Sequence, residues 1–481
     1  MARASIGRRP LFACIVLAAL ALLSAAAVGV AIYALQGEGI APRALAPYIA
    51  RRASGHNAVI VGVGDTLSSL LTTLDRGRER LPASPLLKIG AQAHSPAAAQ
   101  GRLRLVSSSD EARRAFADAQ PGDVITFLPG RYRFERAPLV LTRAGSAQAG
   151  ITVRAEQPGS VVLEMDLTEG FQVEAPYWTL ENLHLVGACA TAAACEHALH
   201  ITGDAHHFTA RNNLITDFNA HIKINGYRGR FPDDGVLESN TLTNARARET
   251  INPVTSIDLV AASRWVIRAN LITDFIKAWG DGISYGGFAK GAGEANVFER
   301  NVVLCEDKLR GYAGQRVGLS LGGGATGPQY CRDGRCITEQ QGGILRANLI
   351  ANCSDDGIYL NSAAASQVLH NTLIDTGGVQ VRFAASSAVI EGNLIDGAIR
   401  ARNGGVVRAA DNLDTSIAKL YLGRHPVRAL FRDAGALDLA WSEEPPRRGA
   451  AKVPDLCTGA RAGGQIAYGA FEAFSACLAG R

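Results

Sequence analysis

The sequence predicts a parallel β-helix, a solenoid whose coils are built from short strands and turns. Asparagine followed by apolar residues recurs along the chain at intervals of about 20–50 residues, the spacing typical of stacked repeats. The 52 glycines suit the many turns that such coils need, and only 6% of the residues are aromatic. The repeated asparagines are Asn182, Asn213, Asn240, Asn270, Asn301, Asn348, Asn371, Asn393 and Asn412.

A second observation is that a short apolar-polar-apolar strand precedes these asparagines. In Ile222-Lys223-Ile224 the isoleucines are expected to point inward and Lys223 outward, because successive side chains of a strand lie on opposite faces. The same rule predicts one outward column, namely His200, Lys223, Asp258, Ser284, Ser320, Tyr359, Gln380 and Arg400. A second column, two residues further along each strand, includes Asn225, Asn361, Arg382 and Arg402.

The N-terminal region predicts export. Residues 11–35 are almost wholly apolar, long enough to span a bilayer, and follow three arginines that favour a cytoplasmic N-terminus. We expect an anchor in the inner membrane and a main domain on the periplasmic or extracellular side. A cleaved signal peptide is the alternative, because small residues follow Ser24. The predicted divisions are 1–35 (anchor), 36–100 (stalk or linker with one or two short helices, for instance around Asp65 to Leu74), 101–415 (parallel β-helix) and 416–481 (closing segment).

The charge of the chain argues against a nucleic-acid partner. The formal net charge is +5, but residues 1–100 hold ten Lys/Arg and four Asp/Glu, a balance of +6. Residues 101–481 hold the remaining 39 Lys/Arg and 40 Asp/Glu, a balance of −1. A nucleic-acid-binding domain is expected to be basic, and the main domain is close to neutral.

Eight of the nine cysteines lie outside the apolar run, and this even number suits disulfides formed in an oxidising compartment. Buried thiols are the alternative. The Cys331–Cys336 spacing also resembles half of a zinc site, but no second half exists, so we expect no zinc. The predicted pairs are Cys189–Cys195, Cys331–Cys336, Cys457–Cys477 and, on neighbouring coils, Cys305–Cys353.

The first coils carry a family resemblance. Residues 110–187 read as a short helix, then PGDVITFLPGRYRF, then LTRAGSAQAGITVRAEQPGSVVL, then YWTLENLHLVG. This segment resembles the opening of right-handed parallel β-helix polysaccharide lyases of the chondroitinase-B and alginate-lyase type. The tail, with LFRD and YGAFE, is similar to the closing segment of secreted β-helix proteins. The resemblance implies a right-handed coil and an acidic polysaccharide as substrate. No run matches the catalytic Lys and Arg of that family.

The outward column places Lys223 beside His200 and Asp258, because neighbouring strands lie about 4.8 Å apart. A lyase needs a base that removes the C5 proton of a uronic acid and a cation that neutralises its carboxylate. Lys223 is our first choice for the base, and His200 and His221 are its rivals. The alternative is a structural Lys223–Asp258 ion pair without catalysis.

Long loops are expected to wall this column. Loops on a regular scaffold often carry function, and insertions are predicted at 226–235, 244–255, 286–294, 306–316 and 322–343. Arginines on these loops would hold carboxylates in a forked geometry. The predicted substrate-binding residues are Arg228, Arg230, Arg246, Arg248, Asn225, Ser284 and Ser320.

Calcium is the cofactor that we consider, because Asp281 and Asp356 precede Gly-Ile at matching positions and carboxylate oxygens suit this ion. Turn formation is the alternative role for both residues. The sequence as a whole predicts an exported lyase that cleaves a uronic-acid polysaccharide by β-elimination. The alternatives are a C5-epimerase of such a polymer and a non-catalytic carbohydrate-binding or scaffolding β-helix.

Overall fold

The computed structural model describes residues 9–77, 84–93, 100–324 and 326–479. These residues form two compact units, of which the first comprises 9–77 with 416–424 and the second comprises the rest. The α-helices are α1 (Arg9–Gly37), α2 (Pro42–Ala53), α3 (Ala58–Arg76), α4 (Ser109–Ala117) and α5 (Ile417–Tyr421).

The first unit is helical. From Val16 to Gly37, α1 is exposed, and it is long and apolar enough to cross a membrane, although a signal sequence would have the same character. Helix α3 also meets this test of length and composition. A buried ion pair joins α2 to α3, with Nε of Arg43 2.9 Å from Oδ1 of Asp75. The helix predicted near Asp65 is therefore present as α3.

The second unit is a right-handed parallel β-helix in which each coil passes through three parallel sheets in turn. Sheet 1 consists of Arg102–Val106, Asp123–Phe127, Ile151–Ala155, Trp178–Glu181, Thr209–Arg211, Val236–Glu238, Val266–Arg268, Val297–Glu299, Ile344–Arg346, Ser366–Leu369, Ser387–Glu391 and Val406–Ala410. Sheet 2 consists of Gly130–Glu135, Val161–Asp166, His184–Gly187, Leu214–Thr216, Thr241–Thr243, Leu271–Thr273, Val302–Leu304, Leu349–Ala351, Thr372–Ile374, Leu394–Ile395 and Leu413–Asp414.

Sheet 3 carries the candidate site. It consists of Leu139–Leu141, Glu169–Val173, His197–Thr202, Ala220–Asn225, Val254–Val260, Ile283–Lys290, Gln315–Leu321, Ile358–Asn361, Gly378–Arg382 and Ala398–Arg402. A small parallel sheet joins Gly293–Glu294, Gln340–Gln341 and Ala363–Ala364, and three antiparallel pairs form the tail: Phe431–Asp433 with Asp438–Trp441, Arg447–Ala450 with Gly464–Ala467, and Val453–Asp455 with Gly459–Arg461.

The interior of the solenoid is a continuous apolar core. Ile222 and Ile224 are fully buried, as their alternation with Lys223 predicts, and equivalent positions on the other coils are buried with them. Helix α4 contributes Phe116 to this core, where its ring meets those of Phe127 and Phe171. The core therefore fixes which side chains of each strand face outward.

An asparagine ladder explains the repeated phrase. Asn270 donates from Nδ2 to Oδ1 of Asn301 at 3.0 Å, and its own Oδ1 accepts from the backbone N–H of Asn240 at 2.9 Å. The same pattern links each ladder residue to the next: Asn213, Asn240, Asn270, Asn301, Asn348, Asn371, Asn393 and Asn412. Asn182 was expected in this series but lies one residue outside it, because Leu183 occupies the ladder position and donates its N–H to Asn213.

All four predicted disulfides are present, namely Cys189–Cys195, Cys305–Cys353, Cys331–Cys336 and Cys457–Cys477. The segment predicted as a stalk or linker, 36–100, contributes to both compact units. Its first part is the α2–α3 pair, whereas Gly90 and Ala91 pack on the solenoid, where they donate to Ala269 and Thr241. The start of the predicted closing segment, 416–424, belongs to the helical unit.

Candidate active site on sheet 3

The strand pairing of Lys223 agrees with the sequence prediction. On sheet 3, Lys223 lies directly opposite His200 on the preceding coil and Asp258 on the following coil. Three side chains from distant parts of the chain therefore meet on the outer face of the sheet. We call the outward side of sheet 3, which carries this row and the row two residues further along each strand, the sheet 3 face.

Lys223 and Asp258 form an ion pair. The Nζ of Lys223 lies 2.8 Å from Oδ2 of Asp258, and the side chains are 21% and 8% exposed. The other carboxylate oxygen of Asp258, Oδ1, is buried and has no hydrogen-bond partner among the described residues. Because a buried acceptor without a partner is costly, this oxygen is a candidate contact for a ligand or for a neighbouring cation.

The predicted position of Ser284 is wrong. Asp258 pairs with Phe288, and Ser284 pairs with Val254, four residues earlier on the strand. The reason is that the strand extends from Ile283 to Lys290, so that most of the predicted 286–294 insertion is strand. Ser284 is fully buried and is not available to a substrate.

This longer strand brings Lys290 onto the sheet 3 face, a residue that the sequence analysis did not select. Lys290 is half-buried, and its Nζ lies 4.4 Å from the ring centre of Phe288. Burial lowers the pKa of Lys290; Asp258 raises it, and the positive charge of Lys223 lowers it again. The structure places no hydrogen-bond acceptor or carboxylate in bonding contact with this Nζ among the residues it describes. A lysine with these properties is suited to take up a proton.

His200 is held at both ring nitrogens. Its Nε2 lies 2.7 Å from Oδ1 of Asn225, and its Nδ1 lies 3.0 Å from Oε1 of Glu169. The Nδ2 of Asn225 donates to the carbonyl of Gly226 at 3.0 Å, which orients the amide so that Oδ1 faces the histidine. The hydrogen bond from His200 also lowers the pKa of Glu169. Both ring nitrogens of His200 face oxygen atoms of neighbouring side chains, so the geometry favours a positioning role for His200 and Asn225.

His221 is remote from solvent. It is fully buried, and its Nε2 lies 3.0 Å from the carbonyl oxygen of Thr243. Burial lowers the pKa of His221 to about 4 despite that hydrogen bond. As a rival base it would need a path to the substrate, and the surrounding packing provides none. His197, beside His200, is also held neutral, because burial lowers its pKa to about 4.

The four predicted arginines have different surroundings. Arg228 and Arg246 are exposed, and the guanidinium of Arg228 lies over the ring of Tyr227. Arg230 is exposed and forms an ion pair with Asp204. Arg248 is buried, where it donates to Oδ1 of Asn219 at 2.9 Å and its pKa is lowered by burial. Arg228 and Arg246 are therefore available to a ligand. Arg230 is paired with Asp204, and Arg248 is buried in a contact that supports the structure.

Ser320 has the predicted register but is buried. It pairs with Phe288 and Tyr359, and its hydroxyl donates to the carbonyl of Gly322 at 2.8 Å. This bond ties the end of the strand to the start of the loop at 322–343. Ser320 therefore supports the loop and does not contact a ligand directly.

Loops on both sides of the central strands are held by specific contacts. Arg332, on the long loop, makes a two-pronged ion pair with Asp233, with both N···O distances 2.8 Å, and stacks on Phe231. The Cys331–Cys336 disulfide closes the turn that carries Arg332. Exposed aromatic rings lie on the loops that leave or enter sheet 3, at Tyr227, Trp279, Tyr312 and Tyr330.

The two carboxylates considered for calcium are engaged by cationic side chains. Oδ1 of Asp281 lies 2.8 Å from Nζ of Lys277 and also accepts from the N–H of Ile283. Asp356 is buried in an ion pair with Arg400. Across the described part of the chain, no group of three or more His, Cys, Asp or Glu side chains is arranged to hold a metal ion.

Comparison with known proteins identifies the fold. No family model and no curated protein matches the chain. Among solved structures, pectate lyase Pel9A matches with 14% identity over 78% of this chain and 98% of its own, at a TM-score of 0.52. An alginate lyase from Paenibacillus sp. str. FPU-7 matches with 16% identity over 65% of this chain and 95% of its own, at 0.39. A rhamnogalacturonan lyase matches with 12% identity over 66% and 87%, at 0.44.

At these identities the likeness to Pel9A establishes the fold, a right-handed parallel β-helix of the kind found in polysaccharide lyases. The chain is thus similar to Pel9A in architecture, and a parallel β-helix is what residues 110–187 led us to expect. The chemistry of a protein with this fold depends on the side chains of its site.

Proposed function

We propose that the protein is a lyase that cleaves a uronic-acid polysaccharide by β-elimination on the sheet 3 face. The observation that carries this proposal is the half-buried Lys290, whose pKa is lowered by burial, one coil away from the Lys223–Asp258 ion pair. A poised base beside a second cation is what proton removal next to a carboxylate requires. The exposed aromatic rings on the flanking loops would suit the apolar faces of sugar rings.

In this reaction the base takes the C5 proton of the uronate, and the electrons of the broken C–H bond form the C4=C5 double bond. The C4–O bond to the next sugar breaks, and the leaving oxygen takes up a proton from water, while the C5 proton stays on the base until it is released to solvent. We assign proton removal to Lys290, because its Nζ has no carboxylate partner among the described residues. Lys223, our first choice from the sequence, is assigned to the substrate carboxylate, with Asp258 holding its ammonium in place.

The direct test is to incubate the purified full chain with a panel of uronic-acid polymers and to follow the absorbance of the unsaturated product. Lys290→Met should lower kcat by about 100-fold or more, the usual contribution of a general base. Lys452→Met, at an exposed lysine in the tail, is the matched control and should retain full activity. Full activity in Lys290→Met would remove Lys290 from the mechanism and return the role to Lys223.

The same experiment distinguishes the alternatives. A C5-epimerase uses the same proton abstraction without elimination, so deuterium from solvent would enter C5 and no unsaturated product would form. A carbohydrate-binding or scaffolding β-helix would bind the polymer and leave it unchanged.

We further propose that the solenoid is exported and held at the membrane by α1. The four disulfides and the exposed apolar segment from Val16 to Gly37 support this location. Alkaline extraction of membranes that contain the full chain tests it: an anchored protein stays in the pellet, whereas release into the supernatant would favour a cleaved signal peptide.

A further inference from the structure

Beyond Lys290, the sheet 3 face continues onto C-terminal coils whose outward residues include arginines. Arg382 pairs with Asn361 on the preceding strand and with Arg402 on the following strand, so these three residues form one outward row. With neighbouring strands about 4.8 Å apart, Arg382 lies three strands, or about 14 Å, from the Lys290 strand. This row is the continuation of the one that contains Lys290 and Asn225.

Neither arginine has a carboxylate partner among the residues that the structure describes. Nε of Arg382 donates to Oδ1 of Asn403 at 3.1 Å, and its guanidinium lies over the ring of Phe383. Arg402 is exposed, and its side chain makes no hydrogen bond or ion pair within the described chain. Arginines on sheet 1 differ, since Arg211, Arg268 and Arg346 each bind a glutamate on a neighbouring coil.

The hydroxyl of Tyr359 completes the arrangement. It accepts from Nδ2 of Asn361 at 3.1 Å and lies 3.5 Å from Nη1 of Arg382. Because two donors already point at this oxygen, its own O–H is left to donate to a third group. The aspartates of the same coil, Asp355 and Asp356, lie at the other end of the strand, and Asp356 is engaged by Arg400.

The opposite end of the sheet 3 face carries carboxylates instead. Glu169, Glu174 and Glu196 lie on the coils before Lys223, and none of them forms an ion pair with a lysine or arginine of the described chain; Glu169 faces His200 and Glu196 faces His197. Burial and the charge of Glu169 raise the pKa of Glu196. A uronate would be repelled on this side and attracted on the side of Arg382.

We propose that Arg382, Arg402 and the Tyr359 hydroxyl form a binding site for a carboxylate of the polymer, and that the coils before Lys223 accept uncharged sugar units. This inference rests on the proposed function for the identity of the ligand as a polysaccharide. It deepens that function by placing the acidic part of the substrate on one side of the reacting sugar. The expected substrate class is a polymer that needs carboxylates toward the C-terminal coils and tolerates neutral sugars toward the N-terminal coils.

The test is equilibrium binding of oligogalacturonate and oligomannuronate to the full chain by calorimetry. Each is compared with the same oligosaccharide after its carboxylates have been reduced to hydroxymethyl groups. Arg382→Gln and Arg402→Gln should each weaken binding of an acidic oligosaccharide by about tenfold, as expected when a charge-assisted hydrogen bond is lost. The reduced oligosaccharides should bind both variants as they bind the wild type. Arg408→Gln, at an exposed arginine on sheet 1 of the last coil, is the matched control and should change nothing.

The outcomes separate this proposal from the lyase proposal. If the two variants bind acidic oligosaccharides as tightly as wild type while unsaturated product is formed, the carboxylate site is wrong and the lyase stands. If binding weakens in the variants and no product is ever formed, the site stands and the lyase is wrong. The carboxylate site would also be overturned if both variants bound the reduced oligosaccharides more weakly by the same factor as the acidic ones. It would be overturned as well if the melting temperature of the variants fell enough to account for their lost binding.

Discussion

Lys223 and Asp258 lie on neighbouring coils with Nζ 2.8 Å from Oδ2, although 35 residues separate them in the chain. The next residue in the same row is Phe288, two residues before Lys290. Asp258 thus lies between two lysines, binds one of them, and keeps its Oδ1 without a partner among the described residues. We infer that this carboxylate sets the protonation behaviour of the proposed base.

Replacing Asp258 tests that inference through pH dependence. Asp258 raises the pKa of Lys290, so its loss in Asp258→Asn should lower that pKa further below the usual value near 10.4. A base must be deprotonated, so activity rises with pH through the pKa of Lys290, and the rise should move to lower pH in Asp258→Asn. The measurement is the pH profile of kcat, with Asp258→Glu as the variant that keeps the charge. An unchanged profile in Asp258→Asn would show that Asp258 does not influence the base.

The register of Lys223 could be predicted from the sequence because the flanking isoleucines and leucines mark the inward positions. The strand at Ile283–Lys290 lacks this signal, since two adjacent glycines, Gly286 and Gly287, interrupt its alternation. The prediction therefore ended the strand too early, placed Ser284 in the row and omitted Lys290. The sequence Phe288-Ala289-Lys290 could have shown that the strand extends to Lys290, because its small inward residue, Ala289, separates two large outward residues.

Other properties of the site depend on contacts that no local pattern contains. His221 and Ser320 are fully buried, although the alternation of their strands predicts outward positions for both. Asn182 matched the repeated phrase, yet Leu183 takes the ladder position, because the phrase permits two neighbouring registers. The cysteine pairs were predictable, because two pairs each bracket a short loop, one pair lies in the tail, and Cys305 and Cys353 follow their ladder asparagines at nearly the same offset.

The asparagine ladder should contribute strongly to stability. Asn270 is fully buried, and its side chain donates to the carbonyl of Leu237 at 2.9 Å and to Asn301, while it accepts from Asn240. Asn270→Ala would leave several buried groups unpaired, so we expect a loss of about 3 kcal/mol in the free energy of unfolding.

Asn412 is the comparison for this measurement, because it ends the ladder and is partly exposed. Water can replace part of its hydrogen bonding, so Asn412→Ala should cost less than Asn270→Ala in urea unfolding followed by circular dichroism. Equal losses for the two variants would contradict a role for burial in the strength of the ladder.

The disulfides should contribute different amounts to the free energy of unfolding, according to the length of chain that each one closes. Cys305–Cys353 spans 48 residues and joins neighbouring coils, whereas Cys189–Cys195 spans 6 residues within one loop. The chain-entropy relation gives about 4 kcal/mol for the first and about 2 kcal/mol for the second. Replacing each pair by alanines and comparing denaturant midpoints measures this difference. A larger loss from the Cys189–Cys195 pair would show that local structure outweighs chain entropy here.

Acid should destabilise the solenoid at Asp396. Burial by itself would raise the pKa of Asp396, but the charge of Arg428 and the hydrogen bond from His425 outweigh it and lower the pKa to about 2. The unfolded value is about 3.9, so the folded state binds this proton less readily than the unfolded state does. The resulting stabilisation is complete above about pH 4 and is lost as the pH falls toward 2. Urea unfolding midpoints measured across this range should decline in the wild type and decline less steeply in Asp396→Asn, which should already be less stable at pH 7. Asp118→Asn, at an exposed aspartate, serves as the control and should follow the wild type. If the urea midpoint of Asp396→Asn declined with falling pH as steeply as that of the wild type, the acid sensitivity would belong to other groups.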